Sequence, residues 1–184
     1  MTERDEYAIV LDFLAEGRAN DKRPSHRKTS LAQVVGKKRF TLLEIQPKEG
    51  TFLNLGDEVY IGEGKREQVQ RIEGRITTDE LTNTAQGELS YVVETLVTEN
   101  EKDFIDFFNK ARPLSTRMHS LELLPGLGKK HMWEVLEARE EQLFTSFEDI
   151  KERVKLLPDP KKLVIRRIMN ELSGNEKHKL FIQQ

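Results

Sequence analysis

The chain has no cysteine among its 184 residues. That excludes disulfides, thiolate zinc sites and a cysteine nucleophile, and it fits a reducing interior. No apolar run approaches the roughly 18 residues that span a bilayer, and no signal peptide opens the sequence. A soluble, cytoplasmic protein without a membrane partner is expected. The four histidines, His26, His119, His131 and His178, are scattered without paired spacing, so neither a histidine metal site nor a cofactor is expected. Apolar residues make up 36% and charged residues 34%, which implies a modest core under a heavily charged surface.

Neither sign of charge dominates: the net charge is −2, which alone argues weakly against a nucleic-acid partner. The distribution argues the other way. From Arg18 to Arg39 there are eight Lys/Arg and one acid, Asp21; from Asp79 to Asp106 there are eight acids and one base, Lys102. A phosphate meets the local field, not the net value.

What is present is the string Leu123-Leu124-Pro125-Gly126-Leu127-Gly128-Lys129-Lys130. It predicts two short helices joined by a glycine turn, with Leu121, Leu124, Leu127, Val135 and Leu136 on the apolar side. The glycines let the backbone bend sharply and approach a ligand. Beyond Gly128 the first N–H groups of the new helix lack internal partners and lie at the positive end of the helix dipole. With Lys129 and Lys130 beside them, the anion best suited is a DNA or RNA backbone phosphate.

This segment resembles the helix-hairpin-helix motif, in which apolar residues alternate with two glycines before a basic helix start. The resemblance implies binding to nucleic-acid backbones with little regard to sequence, through Pro125, Gly126, Leu127, Gly128, Lys129 and Lys130. The family usually has a small residue four after the second glycine; here it is Met132, which predicts a shifted packing of the two helices. Leu156-Leu157-Pro158-Asp159-Pro160-Lys161-Lys162 reads as a second copy with prolines in place of the glycines, a stiff turn without donors. Ser146 and Asp149 fit a capping pair before it, and Gly174 ends the last helix. The second copy is read as scaffold, with Arg166 and Arg167 near enough to touch a neighbouring phosphate.

Before the hairpins, Tyr7 to Leu14, Leu31 to Val35, Phe40 to Ile45, Val59 to Ile61 and Gln68 to Ile76 read as five strands. Their order resembles an OB-fold, an oligonucleotide-binding barrel, although Pro47 to Leu55 is short for the helix expected there. The fold class is α+β: an OB-like β-barrel over residues 1–77, an acidic helical connector over 78–112, with Gly87 as a possible break, and an all-helical domain with tandem helix-hairpin-helix motifs over 113–184.

The barrel resemblance implies single-strand binding between two loops, one carrying Arg18, Lys22, Arg23, Arg27 and Lys28, the other Lys65 and Arg66. Phe40 or Tyr60 would offer a stacking surface if either faced outward. Gly62 and Gly64 lack a phosphate-loop context and read as a turn. Over nearly its full length the chain is similar to an archaeal family of uncharacterised proteins described only as nucleic-acid binders, on Phe40-Thr41-Leu42-Leu43-Glu44, Phe107-Phe108-Asn109-Lys110-Ala111 and Leu121 through Lys130.

A non-catalytic nucleic-acid-binding protein is therefore expected, with RNA favoured because a barrel of this kind suits unpaired strands. One alternative is a protein-interaction adaptor in a transcription, repair or ribosome-related complex, using the acidic helices. Another is a metal-dependent nuclease, whose carboxylates would come from Asp57 and Glu58 or from Asp103 and Asp106. No enzymatic constellation stands out.

Overall fold

The computed structural model describes residues 3–182. The chain divides into two compact units. One runs as far as Val93 and takes in the segment from Glu171 onward; the other is Glu94–Asn170.

The first unit is built on five strands: β1 (Tyr7–Leu14), β2 (Leu31–Gly36), β3 (Leu42–Pro47), β4 (Glu58–Tyr60) and β5 (Val69–Arg75). They form one curled antiparallel sheet in the order β4-β1-β2-β3-β5. β4 and β5 are its opposite edges, so the five strands expected from the sequence form a curled half-barrel. Alternation fixes the register. Ala32 and Val34 on β2, with Leu43 and Ile45 on β3, point to one face and join Ala8, Val10, Val59 and Val69 in the core. Gln33 and Glu44 pair directly across the ladder and point to the other face. There the Gln33 amide donates to the Glu80 carbonyl at 3.0 Å and accepts from the Thr82 N–H at 2.9 Å. Between Val10 and Asp12 the register shifts by a bulge.

Two tight features shape the β2–β3 hairpin. Phe40, expected to open a strand, has φ 55° and is buried at 1% exposure, and β3 starts at Leu42. It therefore offers no stacking surface. The buried Asp5 carboxylate accepts from the N–H groups of Lys38 at 2.8 Å and Arg39 at 2.9 Å.

After β5 a 3-10 turn (Thr78–Glu80) leads to α1 (Asn83–Glu99). Gly87 lies inside this 17-residue helix without interrupting it. Its cost of about 1 kcal/mol is small beside the packing of Ala85, Leu89, Val92 and Val93, all buried.

The second unit holds α2 (Glu101–Lys110), a 3-10 turn (Ser120–Leu123), α3 (Lys129–Glu141), α4 (Phe147–Arg153) and most of α5 (Pro160–Leu172). Phe104, Ile105, Phe108, Leu121, Leu124, Val135, Ile150, Val164 and Ile168 are buried in it. Arg139 of α3 donates to the carbonyls of Phe108 and Ala111 at 3.0 and 2.9 Å, closing the open end of α2. Asn109 and the Phe144 backbone exchange hydrogen bonds at 2.9 and 2.8 Å. Ser146 caps α4 by accepting from the Asp149 N–H at 2.9 Å, as the sequence predicts. α5 ends before Gly174, whose φ of 82° is the left-handed conformation of a helix stop. Among the described residues no helix is long and apolar enough to cross a membrane.

Candidate nucleic-acid interface

Two hairpins of the second unit have the same sequence frame and opposite helix starts. In the first, His119 opens the 3-10 turn. Its Nδ1 accepts from the Leu121 N–H at 3.1 Å while Glu122 accepts from the His119 N–H at 2.7 Å, a reciprocal cap. Gly126 then bends the chain at φ 95°, and Gly128 stands just before α3. The Gly128 carbonyl receives the first helical bond, from Met132 at 2.9 Å. No side chain caps α3, and its first turn contains no acid. Among the described residues, no acceptor meets the N–H groups of Lys129, Lys130 or His131. Gly126, Gly128, Lys129 and Lys130 are all exposed.

The second hairpin is closed. Asp159 precedes α5, and its carboxylate accepts from the N–H groups of Lys161 at 3.0 Å and Lys162 at 3.4 Å. Pro160 at the first helical position has no N–H to offer. The start of α5 thus carries its own anion, whereas the start of α3 has none.

Not every residue of the first hairpin faces outward. Leu127 is 4% exposed, and its N–H donates to the Leu124 carbonyl at 3.0 Å, so it serves the core of the turn. Met132 occupies the position where a small residue was expected and is buried too. Arg167, expected near a phosphate, is 2% exposed; its Nη1 donates to the Leu123 carbonyl at 3.0 Å. It braces the first hairpin from α5. Arg166 is exposed. Sequence reasoning missed Trp133, which is 64% exposed one turn after Lys129 and Lys130.

The cations of the sheet unit are less available than their number suggests. Arg18 is clamped by the buried Glu44 carboxylate at 2.8 Å, and Arg23 by Asp21 at 2.6 Å. The first contact pushes the Arg18 pKa up; in the second, hydrogen bonding from Arg23 holds Asp21 down at about 2. Lys22 and Arg27 are exposed and Lys28 is half-buried; among the described residues none of the three has an ion-pair partner. Lys65 lies 3.7 Å from Glu67, and Arg66 donates to the Gly62 carbonyl at 2.8 Å.

The two basic loops also start from opposite ends of β1. Leu14 pairs with Leu31 at the root of the first, while Tyr7 pairs with Tyr60 where the second leaves β4. The second loop then enters β5 at Val69, which pairs with Pro47 at the Leu31 end of the sheet, so it runs from one end of the sheet to the end where the first loop is rooted. Gly62 and Gly64 make room for the Tyr60 ring: a Cβ on Gly62 would lie 2.4 Å from the Tyr60 hydroxyl, which accepts from the Gly64 N–H at 3.0 Å. They form a turn around an aromatic ring. Asp57 accepts from the Asn54 N–H at 2.8 Å within a turn of its own, and Glu58 pairs with Lys37 at 2.9 Å. Asp106 pairs with Lys110 at 3.4 Å.

The chain is similar to known proteins. The family model described as a protein of unknown function, DUF655, matches residues 4–183. The uncharacterized protein MJ0038 of Methanocaldococcus jannaschii is 39% identical over 178 residues, covering 97% of this chain and 79% of that one. The crystal structure of Af1531 from Archaeoglobus fulgidus, also of DUF655, is 47% identical and superposes with a TM-score of 0.88 over 97% of this chain and 100% of that one. The chain belongs to the DUF655 family of proteins of unknown function.

Proposed function

We propose that this protein binds the phosphate backbone of nucleic acids, without catalysis, at the start of α3. The observation that carries this reading is the contrast between the two hairpins: Asp159 fills the donors of α5, while the donors of α3 stay open beside Lys129 and Lys130. Three N–H groups and two ammonium groups then converge on one anion at the positive end of a helix dipole. In this reading the turn at Pro125–Gly128 is a helix-hairpin-helix whose first helix is reduced to a single 3-10 turn, and the curled sheet is an OB-like half-barrel. Lys22, Arg27 and Lys28 add to the field without setting its specificity.

Filter binding of the full chain to labelled duplex DNA and to single-stranded RNA, over a series of salt concentrations, tests this. Backbone contacts release counterions, so log affinity falls with log salt by roughly 0.9 per duplex phosphate and 0.7 per single-strand phosphate. Affinity that is absent, or indifferent to salt, sinks the proposal. A protein that instead survives nuclease treatment as a complex with another protein is the adaptor reading.

A further inference from the structure

An open groove of about 490 Å³ lies in the sheet unit, between the β1–β2 loop and the face of β3 and β5. That volume falls among small-ligand clefts, roughly 300–1,000 Å³. Three of the arginines that line it are held in one repeated way. Arg18 presents Nε and Nη2 to Glu44, both at 2.8 Å. Arg23 presents Nε and Nη2 to Asp21 at 3.0 and 2.6 Å. Arg71 presents Nε and Nη2 to Glu73 at 3.1 and 2.7 Å. Each guanidinium is gripped by the same edge, and among the described residues its Nη1 meets no partner. The side chains remain 51%, 57% and 66% exposed. A fourth arginine, Arg75, is exposed in the same groove and meets no acid among the described residues.

The charges of the three gripped pairs cancel, so this groove is a poor trap for a bare anion. What the grip creates is flat cationic planes whose rotation is already restricted. Arginine planes of this kind stack nucleobases, and a fixed plane loses less freedom on binding than a mobile side chain. Gly74 at the groove wall has no side chain, and nothing lies within 4 Å of where its Cβ would stand. Leu31 and Ile76 add apolar surface. A duplex hides its base faces in the stack; only an unpaired strand can offer them.

We infer that this groove is a stacking site for the bases of an unpaired nucleic-acid strand, seated on the gripped guanidiniums of Arg18, Arg23 and Arg71 with a phosphate on Arg75. It rests on the reading of the chain as a nucleic-acid binder and supplies a strand preference that the hairpin alone lacks.

Fluorescence anisotropy with a labelled single-stranded RNA pentamer of mixed sequence tests it on the full chain. Three proteins are compared: the natural sequence, Arg71→Ala with Arg75→Ala, and Lys129→Glu with Lys130→Glu. Circular dichroism checks that each is folded, and Arg75→Glu serves as a second variant should the double change disturb β5. The first pair is expected to weaken pentamer binding about tenfold, the scale of one lost base stack. The lysine pair should change it less than about threefold, and the salt slope should not exceed that of one phosphate, roughly 0.7. Pentamer affinity unchanged in both Arg75 variants overturns the site, as does equal binding of a paired duplex of the same length. Duplex binding lost with the lysine pair, alongside pentamer binding that the arginine variants leave unchanged, keeps the hairpin reading and removes the groove. The converse removes the hairpin and keeps the groove.

Discussion

Arg167 on α5 donates through Nη1 to the carbonyl of Leu123 at 3.0 Å, so the helix of the second hairpin holds the turn of the first. Leu123 ends the 3-10 turn, where carbonyls lack helical partners. Replacing Arg167 by Met keeps much of the buried volume and removes the donor. Leaving this part-buried carbonyl unsatisfied costs up to about 1–3 kcal/mol. Chemical denaturation should show a loss of that order. Arg167→Lys, which keeps a charge but not the planar fork, should restore only part of it.

The hairpin lysines should matter for binding and not for folding. Lys129 and Lys130 are exposed and belong to no ion pair among the described residues. Changing both to Glu is expected to weaken duplex binding, whatever the sequence, and to reduce the duplex salt slope by about two phosphates' worth. Titrations at several salt concentrations read both effects. A denaturation midpoint that stays in place shows that the fold has survived.

The first hairpin should also be sensitive to acid. His119 is buried, and its Nδ1 must be unprotonated to accept from Leu121. Burial, and secondarily the charge of Arg139, push its pKa below the ordinary value, with Glu122 opposing. The unfolded chain therefore takes up its proton first, near pH 6.5. The stability due to this neutral imidazole is fully present above about that pH and is lost as the pH falls through the folded-state value. Denaturation midpoints should decline as the pH drops from about 7 to 5. His119→Asn keeps a capping acceptor without a titrating ring, and should flatten that decline.

A glycine in the sheet unit is fixed by a carboxylate. A Cβ on Gly36 would lie 1.8 Å from Oδ2 of Asp5, the same group that accepts from Lys38 and Arg39. Gly36→Ala must push Asp5 off these donors, leaving a buried carboxylate and two amides without partners. A loss of about 2–4 kcal/mol is expected on denaturation. Asp5→Asn, which keeps one acceptor oxygen and fits the same space, should lose less.

Local patterns in the sequence carried much of this architecture, and long-range pairs carried the rest. Strand β1 reads directly from Tyr7–Leu14, and the cap of α4 from Ser146 and Asp149, because alternation and capping act within a few residues. The grip on Arg18 does not: Glu44 is 26 residues away and inside a strand of otherwise apolar character. The basic loop therefore read as free charge. Arg167 was misplaced for the same reason, since its acceptor is 44 residues away. The stiffness of the second hairpin was legible in Pro158 and Pro160, but the closure by Asp159 had to be seen as geometry.

That closure supplies the sharpest test of the α3 site, because it predicts stability and binding to move in opposite directions. Gly128→Asp would give α3 the cap that Asp159 gives α5. A carboxylate there accepts from the open N–H groups and meets the positive end of the dipole, worth roughly 0.3–1 kcal/mol. The midpoint of thermal unfolding should hold or rise. Binding of duplex DNA should fall at least tenfold, since the donors are occupied and a like charge faces the phosphate. Gly128→Ala separates the two effects. Its φ is −86° and nothing lies within 4 Å of the new Cβ, so neither strain nor a clash arises. That variant should bind within a few-fold of the natural protein. If Gly128→Asp binds duplex as tightly as Gly128→Ala does, the start of α3 is not where the backbone sits.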